Sequence, residues 1–360
     1  MIVGDYPLLH HTRLTGLVSK KQPLPRYAST ELFASGGTTD VKTWEYDIEI
    51  TPGVPANWSA YGAASNPIPR DKVGKGKAFL AVIKEHINFG EEDMLFLRKP
   101  GTEHEPYWRE LTAKGIRMLQ ERVARREEQA CWDAIHGSFS IDQTTNLRNP
   151  IKHSATYAVT SYNSPNVNDW GSSPGKPDKA PYGAPVISSY LPQIMRFYRE
   201  NTYGLELARF ITNAVTAGKL IQNEELRHWW HDSTGGERNR SVLSLMGFSS
   251  IGPIPLRQWD AGYTLTDADD ATQTYTRHIA DNILFGLPAG NEMDARIVEG
   301  PVVMPASVIG GDPLQMMNFG YGWFSYAKLN DDPVSLQIHG VRAFGLEIRR
   351  PDAILKMTLR

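Results

Sequence analysis

The closing stretch constrains this chain most: from Asp331 to Arg360 it reads DDPVSLQIHGVRAFGLEIRRPDAILKMTLR. Val334, Leu336 and Ile338 alternate with Ser335, Gln337 and His339, and Leu355, Met357 and Leu359 alternate with Lys356 and Thr358. A period of two gives each segment one apolar face, the mark of a half-buried strand. Between them lies the apolar-rich run Val341–Ile348, closed by the turn signal Arg350-Pro351-Asp352. The end of the chain is therefore expected to be anchored in a sheet rather than to fray.

The 360 residues suffice for one large domain or two to three smaller ones. Hydrophobic content of 41% and charged content of 22% are globular values. With 38 basic against 40 acidic residues the net charge is −2, without the basic excess of a protein whose main task is binding nucleic acid. One cysteine, Cys131, leaves no intrachain disulfide framework and no material for a cysteine-based zinc centre. No apolar run approaches the roughly 18 residues that span a bilayer. The start, MIVGDYPLLHHTR, lacks a signal-peptide core. A soluble product with no membrane partner is expected. Gly 31 and Pro 24, with nine Trp and fifteen Tyr, point to long arms and loops carrying aromatic contact surfaces.

Residues 1–43 have weak periodicity and read as an arm with one short helix at Ser29–Ala34. In Trp44-Glu45-Tyr46-Asp47-Ile48-Glu49-Ile50, even positions are apolar and odd ones acidic, so one face is buried and the other strongly negative. Residues 51–77 are turn-rich and carry the basic run Arg70, Lys72, Lys75 and Lys77. A second extended segment, Ala78–Phe89, makes 44–89 a protruding two-stranded loop with a basic tip. Opposite charges on Glu45, Asp47, Glu49 and on Arg70, Lys72, Lys75, Lys77 are the expected intersubunit contacts, steering association. Ordinary solvated faces would carry the same residues.

Thr102-x-x-Glu105 with Pro106 opens the longest helix candidate, a spine over 106–136. Trp108, Leu111, Gly115, Leu119, Val123, Ala130 and Ala134 recur at threes and fours, with one gap at Glu127, and Gly137 stops the helix. Glu110–Lys114 and Glu121–Arg125 are i,i+4 pairs. The spine falls in a peripheral unit, 90–185, which ends in a Pro/Gly-rich linker after strands at Ser138–Asp142 and Thr156–Thr160. A second unit, 186–315, alternates helices at Val186–Asn201 and Thr216–Trp230 with strands near Arg209–Thr212, Ile254–Trp259 and Ile283–Leu287. Residues 316–360 return to the first unit, where Leu119 and Val123 are expected to face the sheet carrying Leu355, Met357 and Leu359.

The enzyme-like cluster is Glu224-Glu225-Leu226-Arg227-His228-Trp229-Trp230-His231-Asp232, where a helix would put Glu224, His228 and Asp232 on one face with His231 near Glu224. A solvated helix end with histidines near the C-terminal dipole accounts equally for those residues. Gly74-Lys75-Gly76-Lys77 is followed by Ala78 where a phosphate loop needs Ser or Thr. Gly247–Gly252 has Ile251 where the nucleophile elbow needs Gly. Cys131, inside the spine, reads as a small buried hydrophobe.

The order of these parts resembles the major capsid protein of lambda-type tailed phages, the phage capsid E family. The resemblance runs from about Leu32 onward and rests on Leu32-Phe33, the charged spine end Gln129–Gly137, Ala280-Asp281-Asn282-Ile283-Leu284, Asp332-Pro333 and Arg350-Pro351-Asp352-Ala353-Ile354-Leu355. It implies an α+β capsid-shell fold with N-terminal arm, extended loop, peripheral domain with spine helix and inserted axial domain. It further implies a non-catalytic subunit, without cofactor or metal, that assembles as pentamers and hexamers into an icosahedral head enclosing DNA without sequence-specific binding. A scaffold protein, a portal and in some relatives a decoration protein would be partners, with assembly in the host cytoplasm. An encapsulin-like compartment shares the fold and is the alternative shell. A metal-dependent enzyme using His228 and His231 is the alternative from another class.

Overall fold

The computed structural model describes residues 26–50, 72–90, 104–142, 152–162, 186–221, 223, 225–226, 229, 250–266, 273–305, 316–331 and 334–359. A π-helical turn at Ala28–Leu32 precedes β1 (Ala34–Thr38), β2 (Thr43–Ile50), β3 (Lys72–Phe79), β4 (Ala81–Phe89) and the spine helix α1 (His104–Ile135). Next come β5 (Ser138–Asp142), β6 (Lys152–Thr156), β7 (Thr160–Tyr162), α2 (Leu191–Asn201), β8 (Leu207–Thr212) and α3 (Ala214–Ile221). The chain continues through β9 (Ser250–Ile251), β10 (Ile254–Gln258), β11 (Gly262–Thr266), β12 (Gln273–Arg277), β13 (Ile283–Pro288) and β14 (Ala295–Glu299). It closes with β15 (Pro301–Pro305), β16 (Met316–Tyr321), β17 (Trp323–Asp331), β18 (Val334–Ile348) and β19 (Leu355–Thr358). Among the described residues no helix is long and apolar enough to cross a membrane.

Strand β18 organises the first sheet. It pairs antiparallel with β17 through Val334–Arg342, with β4 through Leu336–Phe344 and with β14 through Phe344–Ile348, while β1 joins the far edge of β14 in parallel. Leu336 and Ile338 pack beside Ile116 and Leu119 of α1, as the alternation at that end requires. From Ala343 to Ile348 every residue is buried, because both faces of the sheet are covered there, and the alternation gives way to a continuous run.

The second sheet runs β7-β19-β13-β8-β10-β9. The chain crosses into it at the turn predicted by Arg350-Pro351-Asp352, a short 3-10 segment at Pro351–Ala353. That crossing corrects one expectation. Leu355, Met357 and Leu359 pack with α2, β8 and β10, whereas Leu119 packs on β18. The closing strands belong to two cores because the proline turn moves the chain from one sheet to the other. A central cluster joins them, bringing together Tyr27 and Leu32, Trp132 and Ile135 of α1, Phe285 of β13 and Phe344 of β18.

Helix α1 has 32 residues, about 48 Å at 1.5 Å each. It ends at Gly137, whose φ of +109° suits glycine and whose amide donates 3.0 Å to the Ala134 carbonyl. Gly115, Leu119, Val123, Ala130 and Ala134 are buried as expected. The apolar stripe broadens towards the C-terminus, where Cys131, Trp132 and Ile135 are also buried, because strands pack around that end. Among the described residues Arg125 forms no ion pair with Glu121; the side chains of Trp108, Glu110 and Leu111 lie outside the described residues.

Other expectations shift in detail. The strand placed at Thr156–Thr160 is interrupted, since Tyr157 turns inward and its hydroxyl donates 3.0 Å to the Leu346 carbonyl. The helix expected at Val186–Asn201 begins as a π-helical turn, Val186–Tyr190, before α2. The one placed at Thr216–Trp230 starts at Ala214 because the Asn213 side chain caps it, accepting 2.7 Å from the Thr216 amide. Strands β1, β9, β11, β12 and β14 to β17 were not expected; most are short or lack a clean period of two.

Candidate assembly surfaces

The loop is built from β2 and β3, which pair antiparallel from Thr43↔Phe79 to Ile50↔Lys72. This corrects the placement of the basic run. Lys72, Lys75 and Lys77 stand in a strand of the hairpin rather than at its tip, and β4, expected to be the second arm, leaves to join β18. The alternation Gly-Lys-Gly-Lys sends the lysines to the exposed face and clears the other. A Cβ on Gly76 would run into the Tyr46 ring. The glycines of this motif therefore serve close packing.

On the exposed face Glu45 accepts 3.3 Å from Lys75 and lies 3.9 Å from Lys77. Within the subunit, opposite charges thus meet between two strands of one hairpin. Asp47 is exposed and opposite Lys75 in register, without an ion pair among the described residues. Glu49 lies opposite Val73 and Ile50 opposite Lys72, and nothing further is described of the Glu49 and Lys72 side chains. Arg70, with the rest of the tip, lies outside the described residues.

The buried face fastens the hairpin to the first sheet. Trp44 lies against Gly345 of β18, where any side chain would collide with the indole, and its Nε1 donates to the Glu347 carboxylate. The Tyr46 hydroxyl donates 3.2 Å to the Ile348 carbonyl, and burial pushes its pKa up. The base of the loop is thus held by two aromatic residues while its charged face stays open.

The arm is fastened as firmly. Glu128, 4% exposed, accepts from the amides of Tyr27, Ala28 and Ser29 at 3.1, 2.9 and 3.0 Å. It also accepts from the Ser29 hydroxyl at 2.7 Å and the Trp132 indole at 2.9 Å. Its neighbour Glu127, 2% exposed, pairs with Arg26 at 3.0 Å and Arg342 at 2.7 Å. Burial raises the Glu127 pKa, and the two guanidinium groups oppose that shift. From the other side Arg257 stacks over Tyr27 at 3.9 Å and pairs with Glu31 at 2.7 Å. Sequence reasoning missed this latch. Its only trace was the interruption of the apolar stripe at Glu127, followed by a second glutamate.

Among the described residues no three metal-ligating side chains cluster. His228, His231, Glu224, Arg227 and Asp232 lie outside the described residues, as do His10 and His11. Glu225 binds the amides of Ile187 and Ser188 at 2.9 Å each, a structural task. Cys131 is buried, and desolvation raises its thiol pKa well above the usual value, as expected of a core residue rather than a nucleophile.

By sequence the chain matches no family model and no curated protein. Its fold does match solved structures from end to end. A protein described as a capsid protein of a prophage in E. coli CFT073 superposes with a TM-score of 0.59 at 12% identity, over 98% of this chain and 99% of that one. The capsid of Cyanophage P-SCSP1u gives 0.50 at 8% identity, over 95% and 90% of the two chains. The mature capsid of bacteriophage PhiM1 gives 0.50 at 13%, over 94% and 89%. This chain shares its fold with these phage capsid proteins.

Proposed function

We propose that this chain is a major capsid protein, a non-catalytic subunit that self-assembles into the icosahedral head enclosing phage DNA. The observation that supports the reading is the fold match to phage capsid proteins along nearly the whole length of both chains. Hairpin β2–β3 and the arm before Arg26 are the parts that reach neighbouring subunits. In this reading Glu45, Asp47, Glu49, Arg70, Lys72, Lys75 and Lys77 make contacts between subunits, steering association more than stabilising it. Pentamers and hexamers would form the shell, with a scaffold protein, a portal and a decoration protein as further partners. The extended loop, narrowed to the hairpin Thr43–Phe79, the peripheral unit 90–185, the axial unit 186–315 and the return 316–360 would divide the labour. Each overlap buries surface that one subunit cannot bury alone, so stability grows with assembly.

Electron microscopy of the expressed protein tests this reading. Closed or tubular shells are expected; a small soluble oligomer under all assembly conditions overturns it. Portal and terminase genes beside this one would separate a phage head from an encapsulin.

A further inference from the structure

Between Lys114 and Asp133 the spine helix carries five basic and four acidic residues in sequence: Lys114, Arg117, Arg122, Arg125, Arg126 against Glu121, Glu127, Glu128, Asp133. Folding sorts them. Glu127 and Glu128 point inward, where Arg26, Arg342 and the Tyr27–Ser29 amides consume them, and Asp133 is partly covered. All five basic residues stay exposed, with Glu121 the one exposed acid in that stretch. Arg122 is paired to Glu85 at 2.6 Å and Arg126 donates 2.8 Å to Gln129. Lys114, Arg117 and Arg125 have no ion-pair partner among the described residues.

We infer that this outer face of α1 is a docking surface for double-stranded DNA and lines the inside of the shell. The inference rests on the shell reading above, which supplies an enclosed DNA. From Lys114 to Arg126 the stripe is about 18 Å long at 1.5 Å per residue. A duplex presents one negative charge per roughly 1.7 Å of its axis, so several phosphates fall within reach of the stripe. The helix cannot roll, because Ile116, Leu119 and Val123 on its other side are buried. The backbone positions of the charges are therefore fixed in advance, and binding has only the side chains themselves left to order. Four of the five are arginines, whose planar forks match phosphate oxygens in pairs. Contacts of this kind read no base, consistent with a container for any sequence. Glu121 sits one turn from both Arg117 and Arg125 and weakens the stripe from within.

The test is binding of the full-length subunit to a labelled duplex of random sequence, measured by anisotropy against salt, with Arg117→Glu/Arg125→Glu and Glu121→Gln. Removing two phosphate contacts should flatten the slope of log K against log salt by about two and weaken binding at least about tenfold at low salt. Glu121→Gln should tighten binding, a change that loss of folding cannot mimic. Unchanged affinity and slope in the double variant overturn the proposal. Tighter binding of wild type to poly-glutamate than to DNA at equal charge also overturns it, in favour of an acidic protein partner. Microscopy of the same preparations separates the two readings. Failure of wild type to form shells counts against the shell function, while the anisotropy still decides the DNA face.

Discussion

The Glu127 carboxylate lies 2.7 Å from the Arg342 guanidinium, in the packed seam between the spine helix and the longest strand. Arg26 reaches the same carboxylate from the arm at 3.0 Å. Glu127→Leu would leave two largely covered guanidinium groups without it, a loss of about 3–5 kcal/mol by the usual cost of breaking a buried pair. The urea midpoint of the soluble subunit reads this directly. Adding Arg342→Met should recover part of the loss, since an apolar pair replaces a charged one at little cost. A midpoint unmoved by Glu127→Leu would show that the seam does not depend on this carboxylate.

Leu119 and Leu355 lie in separate cores, on β18 and beneath α2. Each Leu→Ala change should cost about 2–5 kcal/mol. Because the residues share no cluster, the double variant should lose the sum to within about 0.5 kcal/mol. A large coupling term would mean that the two sheets respond as one packed unit.

Two groups give opposite pH signatures. Asp133 has its carboxyl pushed up to about 6 by burial, with Arg126 opposing. Its folded pKa exceeds the unfolded one, so its contribution to stability is present below about pH 4 and is lost as pH rises through about 6. Asp133→Asn should therefore raise the urea midpoint above wild type at about pH 8 and match it at about pH 3.5. His339 is pushed down to about 4, by burial first and then by His86, Lys328 and Lys84. Its contribution is complete above about pH 6.5 and is lost as pH falls towards 4. His339→Gln should flatten the acid limb of the stability curve. An acid limb as steep as that of wild type would assign the loss to other groups.

Exposed pairs such as Glu45–Lys75 are worth about 0–1 kcal/mol. Lys75→Glu/Lys77→Glu should leave the subunit's urea midpoint nearly unchanged. If the hairpin face meets a neighbouring subunit, light scattering should show slower assembly, most of all at low salt where screening is weak. Equal assembly rates across ionic strength would make the face a solvated one.

The patterns legible in the sequence were those written in local periodicity. The spine helix, the acidic strand at Trp44–Ile50 and the closing strands follow from spacing, and the Gly137 and Pro351 stops follow from backbone chemistry. Period two also placed Tyr46 inward and Glu45 outward. What lay beyond it was decided by long-range pairing. Which strand partners Thr43–Ile50, and hence that Lys75 and Lys77 answer Glu45 in the same hairpin, depends on register between distant segments. That Leu355 leaves the sheet of Ile338 depends on where the chain lands after Pro351. The spine shows the difference most clearly. Its sequence is a near-balanced mixture of charges, and only the seams formed with Arg342 and the arm at Tyr27–Ser29 bury two of its acids. The same residues then present a basic stripe outward, because burial selects which charges an approaching partner can meet.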